Sequence, residues 1–429
     1  MSPAAEARRS RIPVRYGVVA FAVSLAMLTY LDRICISILA PLMMREFGLT
    51  QIQMSYVFSA FTLTYGIFEI PTAWWADRVG SRRVVARIVA WWSVFAMATG
   101  AAFSYVSLVT VRLLFGVGEA GAWPNVARVF SRWIPAGERG RMQGIFFAGA
   151  HLSGGLTPIL VTAMLGFLNW REVFAVCGAL GFFWTVAWWH WFRDEPADHA
   201  SVSPAELEKI LRERGLPLVH KATRGVWGRI LKHPSFVPLC LMYLANTYGF
   251  YFLITWLPTY LAKVRGFSQA ELGIFAGLPL TLSVAGDLAG GWTTDRLTRR
   301  FGLRVGRCSV GAGAYLVAAA AMAGAAVVTG PRTAAILIAV AAAASMFTLA
   351  PSWAVCIDIG GHHAGVLSAA MNTSGQVGGV MSPIVLAYVV AIFSNWAIPL
   401  YLLAGLYLMA SLCWLVIRPD HPLEMRAAA

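Results

Sequence analysis

The sequence predicts an all-α integral membrane fold, with twelve transmembrane helices in two six-helix bundles. Three observations carry that expectation. Of 429 residues, 58% are hydrophobic and 13% charged, about half the charged share of a typical soluble domain. The apolar residues gather into twelve runs of about 20 residues, the length a helix needs to cross a bilayer. Lys and Arg sit mainly in alternate connections between those runs, as in membrane proteins with a fixed orientation.

Spans are expected near 16–40, 53–75, 84–104, 107–128, 143–166, 172–192, 236–261, 270–292, 306–328, 333–356, 365–390 and 396–417. The first follows Arg8, Arg9, Arg11 and Arg15. It is too long for the apolar core of a cleavable signal peptide, so it reads as a span. With both termini on the cytoplasmic side of an inner (plasma) membrane, 27 of the 34 Lys and Arg lie on inside segments. Five lie outside, and Arg33 and Arg112 lie within spans. That distribution makes the net charge of +14 a topology signal. A nucleic-acid footprint would need an aqueous domain to carry it, so nucleic acid is not an expected partner. The lipid bilayer is. The six cysteines are scattered singly through apolar runs and form no zinc or redox spacing. His362-His363 is isolated, so neither a metal, nor a cofactor, nor an enzyme constellation is expected.

The longest polar segment, 193–235, separates an N-terminal bundle (1–192) from a C-terminal bundle (236–429). Within it Ser203-Pro204-Ala205-Glu206 reads as the start of a short amphipathic helix. Ser203 caps, Pro204 opens the first turn and Glu206 closes a capping box. The two bundles also echo each other. Ala73-Trp74-Trp75-Ala76-Asp77-Arg78 follows the second run, and Gly291-Trp292-Thr293-Thr294-Asp295-Arg296 follows the eighth. Such recurrence at equivalent places is the mark of a fold built from two related halves.

These Asp-Arg loops, with Gly80, Arg82 and Arg83 after the first copy and Arg299 and Arg300 after the second, resemble the signature of the major facilitator superfamily. Ala73 replaces its leading Gly. The resemblance implies a gate on the cytoplasmic face, built by charge pairs from Asp77, Arg78, Arg82, Asp295 and Arg296. A narrower resemblance rests on Tyr30-Leu31-Asp32-Arg33, Tyr65 with Pro71, and the run from Gly116 to Pro124. It also covers Thr255 to Leu261 and Asn372 to Gly379. These look like the anion:cation symporter family, which implies import of a small organic anion such as a sugar acid, coupled to protons. Glu69 stands where sugar-acid members often have Gln, and Gln376 where many have Asn. A monomer suffices for such a fold.

The charges inside spans argue independently of family, because each costs roughly 2.5–3.5 kcal/mol at mid-bilayer and needs an offsetting role. Arg33 falls on a stripe with Tyr30, and its planar fork suits a bidentate grip on a carboxylate. It is expected either to bind the substrate's anionic group or to pair permanently with a carboxylate. The resemblance places proton coupling on Asp32 and Glu119. Glu119 has an alternative, a static pair with Arg112 seven residues earlier on the same face. Tyr65 and Glu69 share a polar stripe on the second span. His151 on the fifth, Tyr251 and Thr255 on the seventh, Ser352 on the tenth, and Asn372 with Gln376 on the eleventh are further expected substrate contacts. Interhelical hydrogen bonding is the plainer alternative for the amides. Asp287 reads as part of the gate.

Arg33 on the first span, with no Lys or Arg from Pro234 to Ala262 on the seventh, separates this pattern from phosphate antiporters on the same fold, which place a basic residue in each half of the cavity. Symport of aromatic or other carboxylates remains open at this point.

Overall fold

The computed structural model describes residues 12–213, 226–360 and 364–423, and the described regular structure is helical. In the first half, α1 (Val14–Phe47), α2 (Gln51–Val79) and α3 (Ser81–Gly100) make the first three spans. Then α4 (Tyr105–Glu119) with α5 (Ala122–Trp133) makes the fourth, α6 (Ala136–Met164) the fifth and α7 (Trp170–Trp191) the sixth. Between the halves lie α8 (Pro204–Glu213) and α9 (Val226–Lys232). The second half begins with α10 (Phe236–Thr255) and α11 (Leu257–Lys263) as one span, then α12 (Gln269–Phe275) and α13 (Leu278–Phe301) as the next. It continues with α14 (Leu303–Val327), the pair α15 (Pro331–Met346) and α16 (Leu349–Gly360), α17 (Ala364–Phe393) and α18 (Ala397–Val416). Twelve spans result. Ten are long and apolar enough by hydropathy alone; α2 and α3, which carry Glu69, Asp77, Arg78, Arg82, Arg83 and Arg87, complete the set.

The packing repeats with a period of six spans. In the first half α1 packs on α6, α2 on α4 and α3 on α7; in the second, α10 packs on α17, α13 on α15 and α14 on α18. The Asp-Arg echo belongs to this symmetry. Each copy ends a long helix at one glycine with positive φ, Gly80 (96°) or Gly302 (83°), and the next helix starts at once. A side chain there would be strained.

The halves meet through α2 against α17 and α6 against α12 and α13, with α1 touching α10 and α11. Their bonds are unevenly placed. At the end remote from the termini the Tyr56 and Tyr388 hydroxyls lie 2.7 Å apart, Ser59 donates to the Val380 carbonyl at 2.9 Å, and Phe58 meets Trp256 edge-on. Gly277 lies against the Gly155 backbone so closely that a Cβ would collide with it, as expected where small residues let spans approach. Among the described residues, the bond nearest the termini that crosses between halves is at mid-depth, from His151 to Asp287.

The helix expected after Ser203 forms, and Ser203 Oγ accepts the Glu206 amide at 3.3 Å. Glu206 does not close a capping box. Its carboxylate instead accepts the Val14 and Arg15 amides and pairs with the Arg15 guanidinium, satisfying the first turn of α1 that no cap serves. Lys209 and Arg15 both hold Glu138, at 2.6 and 3.0 Å. Trp133 donates to the Arg193 carbonyl. The first part of the linker is therefore fastened to the first half. The residues after α9 belong to the second half, where Ser235 Oγ accepts the Arg418 amide and His233 bonds the His421 carbonyl.

Candidate functional site

The fourth span was expected to be continuous, but it breaks beside Glu119. The helix ends at that residue, Gly121 turns the chain at φ 85°, and α5 resumes at Ala122. Gly121 permits the turn, and Pro124 in the first turn of α5 needs no backbone donor. Broken helices at mid-membrane are tolerated where they line a polar interior. The break leaves Glu119 facing Arg33 on α1. Arg33 Nε and Nη2 each lie 2.5 Å from Glu119 Oε1, with the arginine side chain 8% exposed and the glutamate fully buried.

Arg112 is thus not the partner of Glu119. Its guanidinium sits over the Phe115 and Phe61 rings, at 4.3 and 5.2 Å, and its Nε and Nη1 have no hydrogen-bond partner. Arg33 also lies 5.2 Å from the Phe61 centroid and 4.7 Å from that of Tyr65. Phe61 therefore serves both cations, a role its apolar side chain gave no sign of in the sequence. Tyr65 meets Arg33 with its ring face. Asp32 is buried, and its Oδ1, like Glu119 Oε2, is unpartnered. Buried charges with open valences are costly, and here they stand about two arginines, Arg33 beside Glu119 and Arg112 beside Asp32.

The second cluster joins the halves. His151, midway along α6, bonds Asp287 of α13 through Nδ1 at 2.6 Å. Asp287 was expected at the gate, yet it stands at the level of the central charges. Tyr30 packs edge-on to the His151 ring at 5.7 Å and contacts Trp123 and Phe250. Tyr30, expected to touch substrate, is thereby built into an aromatic wall.

The expected second-half contacts divide. Thr255 and Ser352 turn their hydroxyls back onto the carbonyls of Tyr251 and Thr348. Tyr251 packs with Thr62 around Gly379. Gln376 lies against Gly66 of α2, and its buried Oε1 has no partner. Asn372 stands one turn away on α17, partly exposed, as does Glu69 on α2. Among the described residues, Gln376 Oε1 and the side chains of Asn372 and Glu69 thus stand without a hydrogen-bond partner.

At the Asp-Arg loops, the side chains of Asp77 and Arg78 lie outside the described residues. Arg82 caps the end of α7 by donating to the Trp189 carbonyl and stacking on its ring, and the Arg82 amide bonds Asp194. Asp295 pairs with Arg307 at 3.2 Å, and Arg307 also holds Asp358 at 3.1 Å. Arg296 lies over Trp292. Every one of these contacts stays within its own half. Arg307 and Asp358 were missed from sequence, because neither stands in the repeated motif.

Residues 22–383 match the family model described as Major Facilitator Superfamily. The chain belongs to that superfamily. Its members are transporters, not enzymes. This member is 34% identical over 422 residues to the probable sulfoacetate transporter SauU of Cupriavidus necator, covering 96% of this chain and 95% of that one. It is 28% identical to a D-galactonate transporter of Escherichia coli, covering 91% and 92% of the two chains. The hexuronate transporter of Bacillus subtilis is 26% identical, with 95% and 94% covered. The fold also matches the crystal structure of a bacterial homologue of the human lysosomal transporter Spinster in an inward-facing, unoccupied conformation. That likeness has a TM-score of 0.72 at 20% identity, over 94% of this chain and 95% of the other. The sequence expectation of a superfamily fold of two six-span halves is met.

Proposed function

We propose that this superfamily member is a proton-coupled symporter of a small organic anion, with sugar acids such as aldonates, aldarates and hexuronates as the leading class. The sulfoacetate, galactonate and hexuronate of those relatives' names are organic anions, which supports the substrate class. The observation that carries the coupling is the Arg33–Glu119 pair, in which the cation suited to an incoming carboxylate is already held by one of the protein's own.

Substrate can take Arg33 only if Glu119 gives it up, and a proton on Glu119 is the cheapest means of release. Charge balance points the same way. At mid-depth stand four carboxylates, Asp32, Glu69, Glu119 and Asp287, against two guanidiniums, Arg33 and Arg112. A site with that surplus repels an anion until protons enter with it. Asp32 is the second proton carrier in this scheme, and Arg112 offsets part of the negative charge of the unloaded site.

The protein sits in the inner membrane with both termini in the cytoplasm, in keeping with the distribution of Lys and Arg. The bonds between halves then lie on the outer side, so this conformation opens inward. Alternating access follows when those bonds part and the Asp-Arg loops close the other face. The test is reconstitution in liposomes with radiolabelled galactonate, glucarate, hexuronates, phthalate, sulfoacetate and sugar phosphates. Uptake confined to sugar phosphates, in exchange for phosphate, would replace this reading with antiport.

A further inference from the structure

We infer that the central site is built for an anion with two acidic groups, one taken by Arg33 and the other by His151. The inference rests on the organic-anion reading above and specifies which anions.

Two cation-bearing side chains of the first half reach mid-depth beside Tyr30, and each is fastened to a carboxylate. Arg33 is held by Glu119, and His151 by Asp287. Tyr30 stands between the two systems. It lies one helical turn before Arg33 on α1, its ring meets His151 edge-on, and its phenol feels the charges of both Arg33 and Asp287. A substrate lying along the Tyr30 ring would reach both pairs.

The His151 pair has the form of a held donor. A carboxylate at Nδ1 fixes the proton there and turns Nε2 into the working end of the ring. Nε2 has no partner among the described residues, and neither does Asp287 Oδ1. The titratable groups facing the ring are Tyr30 from α1 and Asp287 from α13. A ring that served only to pin the halves would gain nothing from an open nitrogen at the level of Arg33 and Glu119.

The proton count follows from the same arrangement. Glu119 takes one proton and releases Arg33 to the first acidic group. A second enters at His151 Nε2, making an imidazolium that Asp287 holds at Nδ1 and that donates from Nε2 to the second acidic group. A monoanion needs only the first exchange.

The experiment compares monoanion and dianion of one carbon skeleton, gluconate against glucarate and butyrate against succinate, with full-length protein in liposomes. The wild type should favour each dianion by roughly tenfold, the worth of one charge-assisted hydrogen bond. It should also take up one more proton per dianion, read from the reversal potential. In His151→Asn and in Asp287→Asn the preference ratio should fall toward one. Reading a ratio on one preparation separates the effect from poor folding, and Asp287→Asn decides the matter should His151→Asn prove inactive. Equal handling of both members of each pair by the wild type, or a ratio unchanged in the variants, overturns the inference while leaving organic-anion transport intact. Uptake of neither member of any pair overturns both.

Discussion

Arg33 donates from Nε to one oxygen of Glu119 at 2.5 Å, its Nη2 lies as close to that oxygen without a hydrogen bond, and the other oxygen of that carboxylate has no partner. The pair is strong and incomplete at once. A satisfied buried pair resists exchange; this one has an open valence ready for a proton.

Arg33→Lys keeps the charge but loses the fork and much of the stacking on Tyr65 and Phe61. Substrate binding should weaken roughly 10- to 100-fold, the value of one or two charge-assisted hydrogen bonds. Equilibrium binding to detergent-purified protein measures it.

Glu119→Gln leaves a neutral group where the proton-carrying one stood. Accumulation against a gradient should disappear, while exchange of labelled for unlabelled substrate across the membrane continues. Accumulation at the wild-type level would assign coupling elsewhere, first to Asp32.

Ser59 and Val380 touch across the halves at the end remote from the termini. Paired cysteines, Ser59→Cys with Val380→Cys, should be joined by an oxidant and stop uptake, and a reductant should restore it. Undiminished transport by the cross-linked protein would mean that this end does not open during the cycle.

Acid should loosen the first part of the linker. His199 is packed between Trp133 and Trp191, where burial, with Arg193 nearby, depresses its pKa below the ordinary 6.5. Folding thus favours its neutral form, and the docked state loses stability as pH falls below 6.5. Burial would raise the Glu138 pKa, but hydrogen bonds from Lys209 and Arg15 outweigh it and hold the group below the usual 4.5. That contribution is present above 4.5 and drains away as the pH drops through the folded value. Protection factors for amide exchange in 204–213, taken against the intrinsic rate at each pH, should fall from pH 7 to 5 and further toward 4.

The twelve spans were legible because lipid imposes a length and a composition that few other structures share. The helix breaks were not. Pro41, Pro158 and Pro383 lie inside unbroken α1, α6 and α17, while the fourth span breaks at Gly121, so breakers in a sequence do not say which helices part. Cost of burial also singled out Asp32, Arg33, Glu69, Arg112, Glu119 and Asp287, but it did not fix their partners. Glu119 looked to Arg112 on its own span, and the break turned it to Arg33 on another. Asp287 stands 136 positions from His151, and only the docking of α6 on α13 brings them together. Phe61 carries two cations with no polar atom to betray it.

Proton-driven accumulation tests the central claim most directly. Liposomes holding the purified protein, acidified outside, should concentrate the best substrate of the panel above its external level, and a protonophore should abolish the excess. Uptake that rises only to the external level, whatever the pH difference, would contradict proton coupling through Asp32 and Glu119.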